Sequence, residues 1–330
     1  MAHTHQTICA ARRRSPRCAA PARRSRVWMA DRLLVDLGGT HARLGLADAS
    51  GLMTQTCRRV RNADHASLSQ MLTSYLGDLG AGPVHALCAG VAGPVRGGVA
   101  QLTNHAWRIE AATLACATGA LHVHLINDLQ AQAMALDDLP PGALHPLLPG
   151  APDPDGPRLV LGLGTGCNIA VAHRVKGGLM VPASESGHTT LPDAPEFRAL
   201  YDDLRKLHPH LPIEAALSGP GLVAMHRHLT GETRSSHQIV SAAPCGTMAV
   251  FTRLLGLVAG NLCLAHMATG GLYLIGGTAR AMAPHIGAAF CTEFTARGPY
   301  APILRDIPVT LITDDAAGLT GLHRYLERFA

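Results

Sequence analysis

The sequence predicts an α/β protein of two domains around a cleft, and three observations carry that prediction. Apolar strand-like runs alternate with helical stretches through the body of the chain, the pattern of a mixed sheet with helices layered on it. A segment rich in proline and glycine, 140–157, breaks the periodicity near the middle. On either side of it the pattern opens in the same way, with an apolar strand, a glycine turn that carries a threonine, and a return strand.

The first opening runs from 33 to 46. Residues 33–35 read as a buried strand, Asp36-Leu37-Gly38-Gly39-Thr40 as a tight turn, and 42–46 as the strand folding back. Adjacent glycines let a ligand come close to backbone N–H groups, so such a turn can hold a phosphate. Asp36 is placed to meet a metal-bound water, and Thr40 offers a hydroxyl. An ordinary Gly-Gly hairpin explains this stretch equally well when it is taken alone.

A third strand is expected over 52–60. A helix follows over 66–79, with Leu68, Met71, Leu72, Tyr75, Leu76 and Leu79 broadly on one face. Residues 84–89 form a central strand, 90–98 a turn-rich loop, 109–118 a helix, and 123–126 a strand ending at Asn127-Asp128. In the second half, 159–161 and 168–172 flank the turn Gly162-Leu163-Gly164-Thr165-Gly166. Gly219-Pro220-Gly221 precedes a helix. The apolar stretch 248–267 reads as the central helix of the larger domain rather than a membrane element, and 272–275 is a strand running into Gly276-Gly277. A strand at 309–312 and a helix at 318–329 close the chain.

The 330 residues suffice for two cores, and 47% hydrophobic against 15% charged residues excludes a disordered chain. Lys and Arg number 28 against 23 Asp and Glu, but seven arginines precede Trp28, which leaves the body with 21 basic and 23 acidic residues. No basic stripe for nucleic acid is expected on such a body. The arginine-rich first 28 residues have neither apolar periodicity nor the apolar core of a secretory signal. Residues 1–29 are therefore expected to be a disordered extension, with Met29 an alternative start and a targeting peptide another reading. Nine scattered cysteines without a CxxC pair fit reduced thiols in the cytoplasm.

Three glycine clusters, 38/39, 164/166 and 276/277, come directly after strands. Together they point to a nucleotide, although neither Gly-x-Gly-x-x-Gly nor a lysine-bearing phosphate loop is present. Asn104, His105, Asn127, Asp128, Glu185, His188 and Glu214 gather around the proposed cleft, where one polyhydroxyl ring would satisfy several of them. They form no compact metal motif. Asp128 ends an apolar strand, where a carboxylate can orient a hydroxyl and take its proton, or can cap the helix that starts near Leu129.

Seven stretches resemble bacterial glucokinases of the proteobacterial type, members of the hexokinase and actin-like superfamily. They are Asp36-Leu37-Gly38-Gly39-Thr40-His41-Ala42-Arg43-Leu44, Leu102-Thr103-Asn104-His105-Ala106-Trp107, Ile126-Asn127-Asp128, Gly164-Thr165-Gly166, Glu185-Ser186-Gly187-His188, Leu217-Ser218-Gly219-Pro220-Gly221-Leu222 and Gly276-Gly277. They occur in the family's order over about residues 31–328.

The resemblance implies a two-domain actin-like (ribonuclease H-like) fold that uses ATP with Mg2+ to phosphorylate the 6-hydroxyl of D-glucose. It implies a small domain of 30–138 completed by 315–330, a large domain of 139–314, and a cytoplasmic homodimer. It makes Asp128 the base, and Asn104, Asp128, Glu185, His188 and Glu214 the sugar ligands. Asp36, Gly38, Gly39, Thr40, Gly164, Thr165, Gly166, Gly276 and Gly277 become the nucleotide frame, with no protein-only metal site. The chain departs from the family at three places. His41 stands for Asn, Cys167-Asn168 for Leu-Gly, and Ala183-Ser184-Glu185-Ser186-Gly187-His188 for Pro-Gly-Glu-Gly-Gly-His with one extra residue. The second departure is expected to alter nucleotide handling more than sugar binding. A kinase of another hexose or amino sugar, and a sugar sensor without activity, are the competing readings.

Overall fold

The structure, a computed structural model, describes residues 30–102, 105–242 and 246–329. The expected extension 1–29 and the expected sugar ligand Asn104 lie outside the described residues. The first half contains strands β1 (Arg32–Leu37), β2 (His41–Asp48), β3 (Gly51–Leu52), β4 (Arg58–Arg61) and β5 (Ala86–Val91), then β6 (Val95–Arg96), β7 (Val99–Gln101), β8 (Arg108–Glu110) and β9 (His122–Asn127). Its helices are α1 (Leu68–Leu79), α2 (Ala111–Thr118) and α3 (Asp128–Met134). The second half has strands β10 (Leu144–Leu148), β11 (Arg158–Leu163), β12 (Cys167–Val175), β13 (Gly178–Met180), β14 (Gly271–Ile275) and β15 (Val309–Ile312). Between and after them lie α4 (Arg198–Arg205), α5 (Ile213–Ala216), α6 (Gly219–Thr230), α7 (Ser236–Ser241), α8 (Gly246–His266), α9 (Gly277–Met282), α10 (Ala288–Thr295), α11 (Ala301–Asp306) and α12 (Ala317–Phe329).

Two sheets repeat one plan. The first has the order β3-β2-β1-β5-β9, with β4 also on β2, and the second has the order β10-β15-β14-β11-β12-β13. In the first, β2 runs antiparallel to β1, and β5 and β9 follow parallel to it. In the second, β12 runs antiparallel to β11, and β14 and β15 follow parallel. Each glycine turn thus joins the first antiparallel pair of its sheet, with Leu37 opposite Ala42 in one and Leu163 opposite Cys167 in the other.

The period-2 alternation of a strand decides what covers each face. Leu33, Val35 and Leu37 share a core with α1 residues Leu68, Met71 and Leu72, while Leu34 packs with Leu319, Leu322 and Leu326 of α12. In the second sheet, Leu159, Leu161 and Leu163 pack with Phe251, Leu254 and Leu255 of α8, while Val160 joins Leu129, Ala133 and Met134 of α3. Helix α8 is long and apolar enough to cross a membrane by length and composition, and Phe251, Leu254 and Leu255 bury it within this core.

Helix α3 touches both lobes. Leu129, Ala133 and Met134 face the second sheet, and Ala131 packs with Leu34 and Ile126 of the first and with Leu322 of α12. The fit against α12 is close. A Cβ at Gly321 would stand 1.6 Å from the Ala131 carbonyl oxygen, so only glycine allows this approach. Ser218 caps α6 by accepting from the Gly221 N–H at 3.0 Å, and Gly80 closes α1 in the left-handed conformation.

Several local expectations need correction. The strand expected over 52–60 is broken into β3 and β4 by a short 3-10 turn, where Thr56 accepts the Leu46 N–H and replaces a ladder bond. The loop expected over 90–98 contributes to a three-stranded sheet of β6, β7 and β8. The segment 140–157 contains β10, which pairs with β15 at the sheet edge, where Pro146 is tolerated. Gly219, Pro220 and Gly221 form the first turn of α6 rather than preceding it.

Candidate active site

Strand ends and helix starts from both lobes meet at one cavity. Its lining includes Gly39, Asn127, Asp128, Gln132, Gly164, Thr165, Gly166, Cys167, Asn168, Glu185, His188, Glu214 and Gly276. The structure therefore brings Asp128, Glu185, His188 and Glu214 together with parts of all three glycine clusters. Gly38, Thr40, Asp36 and Gly277 are not on that wall. Thr40 and Gly277 are exposed, whereas Asp36 is buried behind the first turn with Arg43 at 3.5 Å.

Asp128 owes its place to β9 and α3. The apolar strand fixes the backbone, and Asn127, not Asp128, is the helix cap. The Asn127 side chain accepts the Leu129 N–H at 2.9 Å, and Gln130 reaches back to the Asn127 N–H at 3.0 Å. The capping role is thus filled by the neighbouring residue, and Asp128 occupies the first helical position with its carboxylate at the cavity. Burial pushes the Asp128 carboxyl up to about 7, with repulsion from Asp36 and Glu185 adding to it and the Leu129 N–H opposing. A carboxyl poised there is half ionised near neutral pH, the condition for efficient proton transfer.

Glu185 directly precedes, and His188 ends, one short 3-10 turn, Ser186–His188, which is closed by the His188 N–H donating to the Glu185 carbonyl at 3.1 Å. Burial raises the pKa of Glu185, with His188 opposing and Glu214 adding. Glu214, on α5, accepts the Cys167 N–H through Oε2 at 2.8 Å. The second glycine turn therefore fastens a carboxylate from another element. Gln132, one helical turn after Asp128, and Asn168 also line the cavity and were not among the expected ligands. The spacing of four from Asp128 on a helix was the signal for Gln132. Nothing local in the sequence connects Asn168 to Glu185.

Around the first turn, Asn62 donates from Nδ2 to the Gly38 carbonyl at 2.8 Å, and its N–H donates to the Thr40 carbonyl at 3.0 Å. Arg43 also reaches Asp315 at 3.6 Å, and Asp315 accepts from Arg280 of α9 at 2.7 Å. Charges thus alternate from one turn toward the other. Burial raises the pKa of Asp36, Arg43 opposes, and Asp315 adds to the rise. Among the described residues no cluster of three or more His, Cys, Asp or Glu could hold a metal ion.

Two lobes, each with a glycine turn at one cleft and a carboxylate between them, define a sugar kinase of the actin-like superfamily. A model of the glucokinase family matches residues 33–329, and the chain belongs to that family. It is 33% identical to a glucokinase-like protein of Xylella fastidiosa over 324 residues, covering 90% of this chain and 95% of that one. It is 33% identical to a glucokinase of Chromobacterium violaceum, covering 89% of each chain. A solved glucokinase from an Antarctic psychrotroph superposes with a TM-score of 0.75 at 29% identity, over 90% of this chain and 98% of that one. The glucokinase of Balamuthia mandrillaris shares the fold, with a TM-score of 0.74 at 22% identity over 90% and 93% of the two chains.

Proposed function

We propose that Asp128 takes the proton of the 6-hydroxyl of D-glucose while that oxygen attacks the γ-phosphorus of ATP. The new bond is between O6 and phosphorus, the bond to the departing ADP oxygen breaks, and the proton resides on the Asp128 carboxyl. ATP-dependent phosphorylation of glucose to glucose 6-phosphate is the activity of the family to which the chain belongs. The observation that carries the role of Asp128 is its place at the cavity with a carboxyl held near 7, while Asn127 performs the capping.

Asn104, Asp128, Glu185, His188 and Glu214 are the sugar ligands in this reading. Gly38, Gly39, Thr40, Gly164, Thr165, Gly166, Gly276 and Gly277 frame the nucleotide. Mg2+ bound with ATP would supply positive charge to the phosphate oxygens. Asp36 is the carboxylate proposed for the water shell of that ion, and it would have to reach it from behind the first turn, off the cavity wall, where Arg43 stands 3.5 Å away. Residues 30–138 with 315–330 form the lobe that closes on 139–314, which keeps water from the γ-phosphate. The enzyme in this reading is a cytoplasmic homodimer.

Asp128→Asn tests the assignment, since Asn keeps the shape and cannot accept the proton. Glucose-dependent ADP release should fall by roughly 10²–10⁴-fold, with glucose binding by calorimetry much less affected. Near-normal turnover in a folded variant that still saturates with glucose would overturn it. In the native protein the reactive form is the carboxylate, so kcat/KM should fall as pH drops below about 7. The folded pKa of Asp128, about 7, lies above its ordinary 3.8, so the folded state holds the proton more tightly than the unfolded chain. Its contribution to stability is therefore lost as pH rises from about 4 to about 7, and Asp128→Asn should melt higher than native at pH 8.

A further inference from the structure

The departure Cys167-Asn168 sits at the start of β12, directly after the second glycine turn. There the Asn168 side chain turns toward the loop that carries Glu185. Its Nδ2 donates to the Ser184 carbonyl at 2.8 Å and to Glu185 Oε2 at 2.9 Å. Its Oδ1 accepts the Ile169 N–H at 2.9 Å and the Gly187 N–H at 3.3 Å. Both amide hydrogens and two acceptor positions are used, so this side chain has one orientation.

The loop is also pressed onto the strand. A Cβ at Gly187 would lie 1.6 Å from the Cys167 carbonyl oxygen, so the backbone at 187 rests on residue 167 itself. The neighbouring Cys167 N–H holds Glu214 Oε2. Two consecutive residues thus hold the two carboxylates, Glu214 by a main-chain donor and Glu185 by a side-chain donor. A glycine at 168 would supply no such donor. Glu185 is half-exposed and has several rotatable bonds, so a charge-assisted hydrogen bond to one oxygen selects among its rotamers and leaves Oε1 for a ligand.

We propose that Asn168 is a positioning residue for the sugar: by holding Glu185 Oε2 it orients that carboxylate toward the hexose hydroxyl it meets, and so sharpens discrimination between hexose epimers. This rests on Glu185 being a sugar ligand. It reverses the expectation that the departure acts on the nucleotide, because the amide donates both its hydrogens to residues 184 and 185 and accepts from residues 169 and 187.

The experiment measures KM for glucose, KM for ATP and kcat, with a panel of D-glucose, D-mannose and D-galactose, for Asn168→Ala, Asn168→Asp, Glu185→Ala and the double variant Asn168→Ala/Glu185→Ala. Asn168→Ala should raise KM for glucose by roughly tenfold, the scale of a hydrogen bond to a charged group, with KM for ATP nearly unchanged. Preference for glucose over its epimers should narrow. Asn168→Asp keeps the shape and both acceptor contacts but sets a second carboxylate beside Glu185, and should raise KM for glucose further. The double variant should be no worse than Glu185→Ala, since Asn168 acts through that residue. Equal changes in both KM values, or a glucose KM and epimer preference unmoved by Asn168→Ala while Glu185→Ala is impaired, would overturn the positioning role alone. A Glu185→Ala variant with native glucose KM would overturn the sugar assignment of Glu185 and the inference with it.

Discussion

The two glycine turns are built alike and anchored differently. Each joins an antiparallel strand pair at the head of a sheet, but the first is tied by its own lobe and the second by three other elements. Gly38 receives the Asn62 amide, from the segment just after β4. Gly164, by contrast, accepts from the Gly219 N–H of α6 at 2.7 Å and from the Thr278 hydroxyl of α9 at 3.0 Å, and the Cys167 N–H next to this turn holds Glu214 of α5. The surroundings differ as well. Arg43 neutralises Asp36 beside the first turn, whereas the second borders two carboxylates, Glu185 and Glu214. In the proposed reading, the same backbone device serves phosphate alone in one lobe, and in the other also fixes the carboxylates assigned to the sugar.

The largest effect on this comparison should come from Gly276→Ala. Gly276 has φ of 106° and ψ of 171°, a conformation open essentially to glycine, and a Cβ there would lie 2.3 Å from the carbonyl oxygen of Leu163, just before the second turn. Neither group can yield, because both are backbone. Stability should fall by on the order of 3 kcal/mol or more, read as a lower melting temperature and denaturation midpoint. A native-like melt would mean that the large-lobe turn is not pinned from α9.

Gly166→Ala should be gentler on the fold and harder on the sugar. The added methyl would stand 2.5 Å from Glu214 Oε2, the end of a flexible side chain that can swing away. Stability should change by less than about 1 kcal/mol, while KM for glucose rises by roughly tenfold as the carboxylate loses its Cys167 donor. Gly38→Ala is the matched control, since its Cβ meets only the His41 carbonyl at 3.3 Å. That variant should shift KM for ATP and leave glucose alone. Equal effects of the two variants on glucose would erase the distinction between the turns.

Much of this layout is legible in the sequence, and the reasons are physical. Residues 33–35 and 159–161 are apolar on both faces because both faces of each sheet are covered, so their strands announce themselves as continuous runs. The glycine pairs stand out because so few residues can take their place. Strands β6 to β8 span two or three residues each, too short for any period to register. Strand β10 hid behind Pro146, which an edge can accommodate. Asp128 stands equally as cap or base in the sequence, and that Asn127 fills the cap position is visible only in its rotamer, one residue away. Asp36 drew attention for its place in the turn, yet pairing with Arg43 puts it behind the wall. The link from Asn168 to Glu185 crosses 17 residues without a periodic pattern, and only the folded loop discloses it.

The smallest effects should come from the two fastenings themselves, and they separate the turns most cleanly. Asn62→Ala removes a buried amide that donates to the Gly38 carbonyl, so that oxygen loses its partner within the small lobe. The cost of an ordinary hydrogen bond is about 1 kcal/mol. Loosening the first turn should then raise KM for ATP a few-fold with glucose KM unchanged. Thr278→Val keeps nearly the same volume and removes one of two donors to the Gly164 carbonyl, while the Gly219 N–H remains at 2.7 Å. With no orphaned acceptor left behind, the loss should stay below about 1 kcal/mol, and both KM values should remain within about twofold of native. Steady-state kinetics with each substrate varied in turn decides the matter. A Thr278→Val effect on ATP as large as that of Asn62→Ala would mean that the second turn depends on each of its anchors singly, and the contrast between one fastening and several would fail.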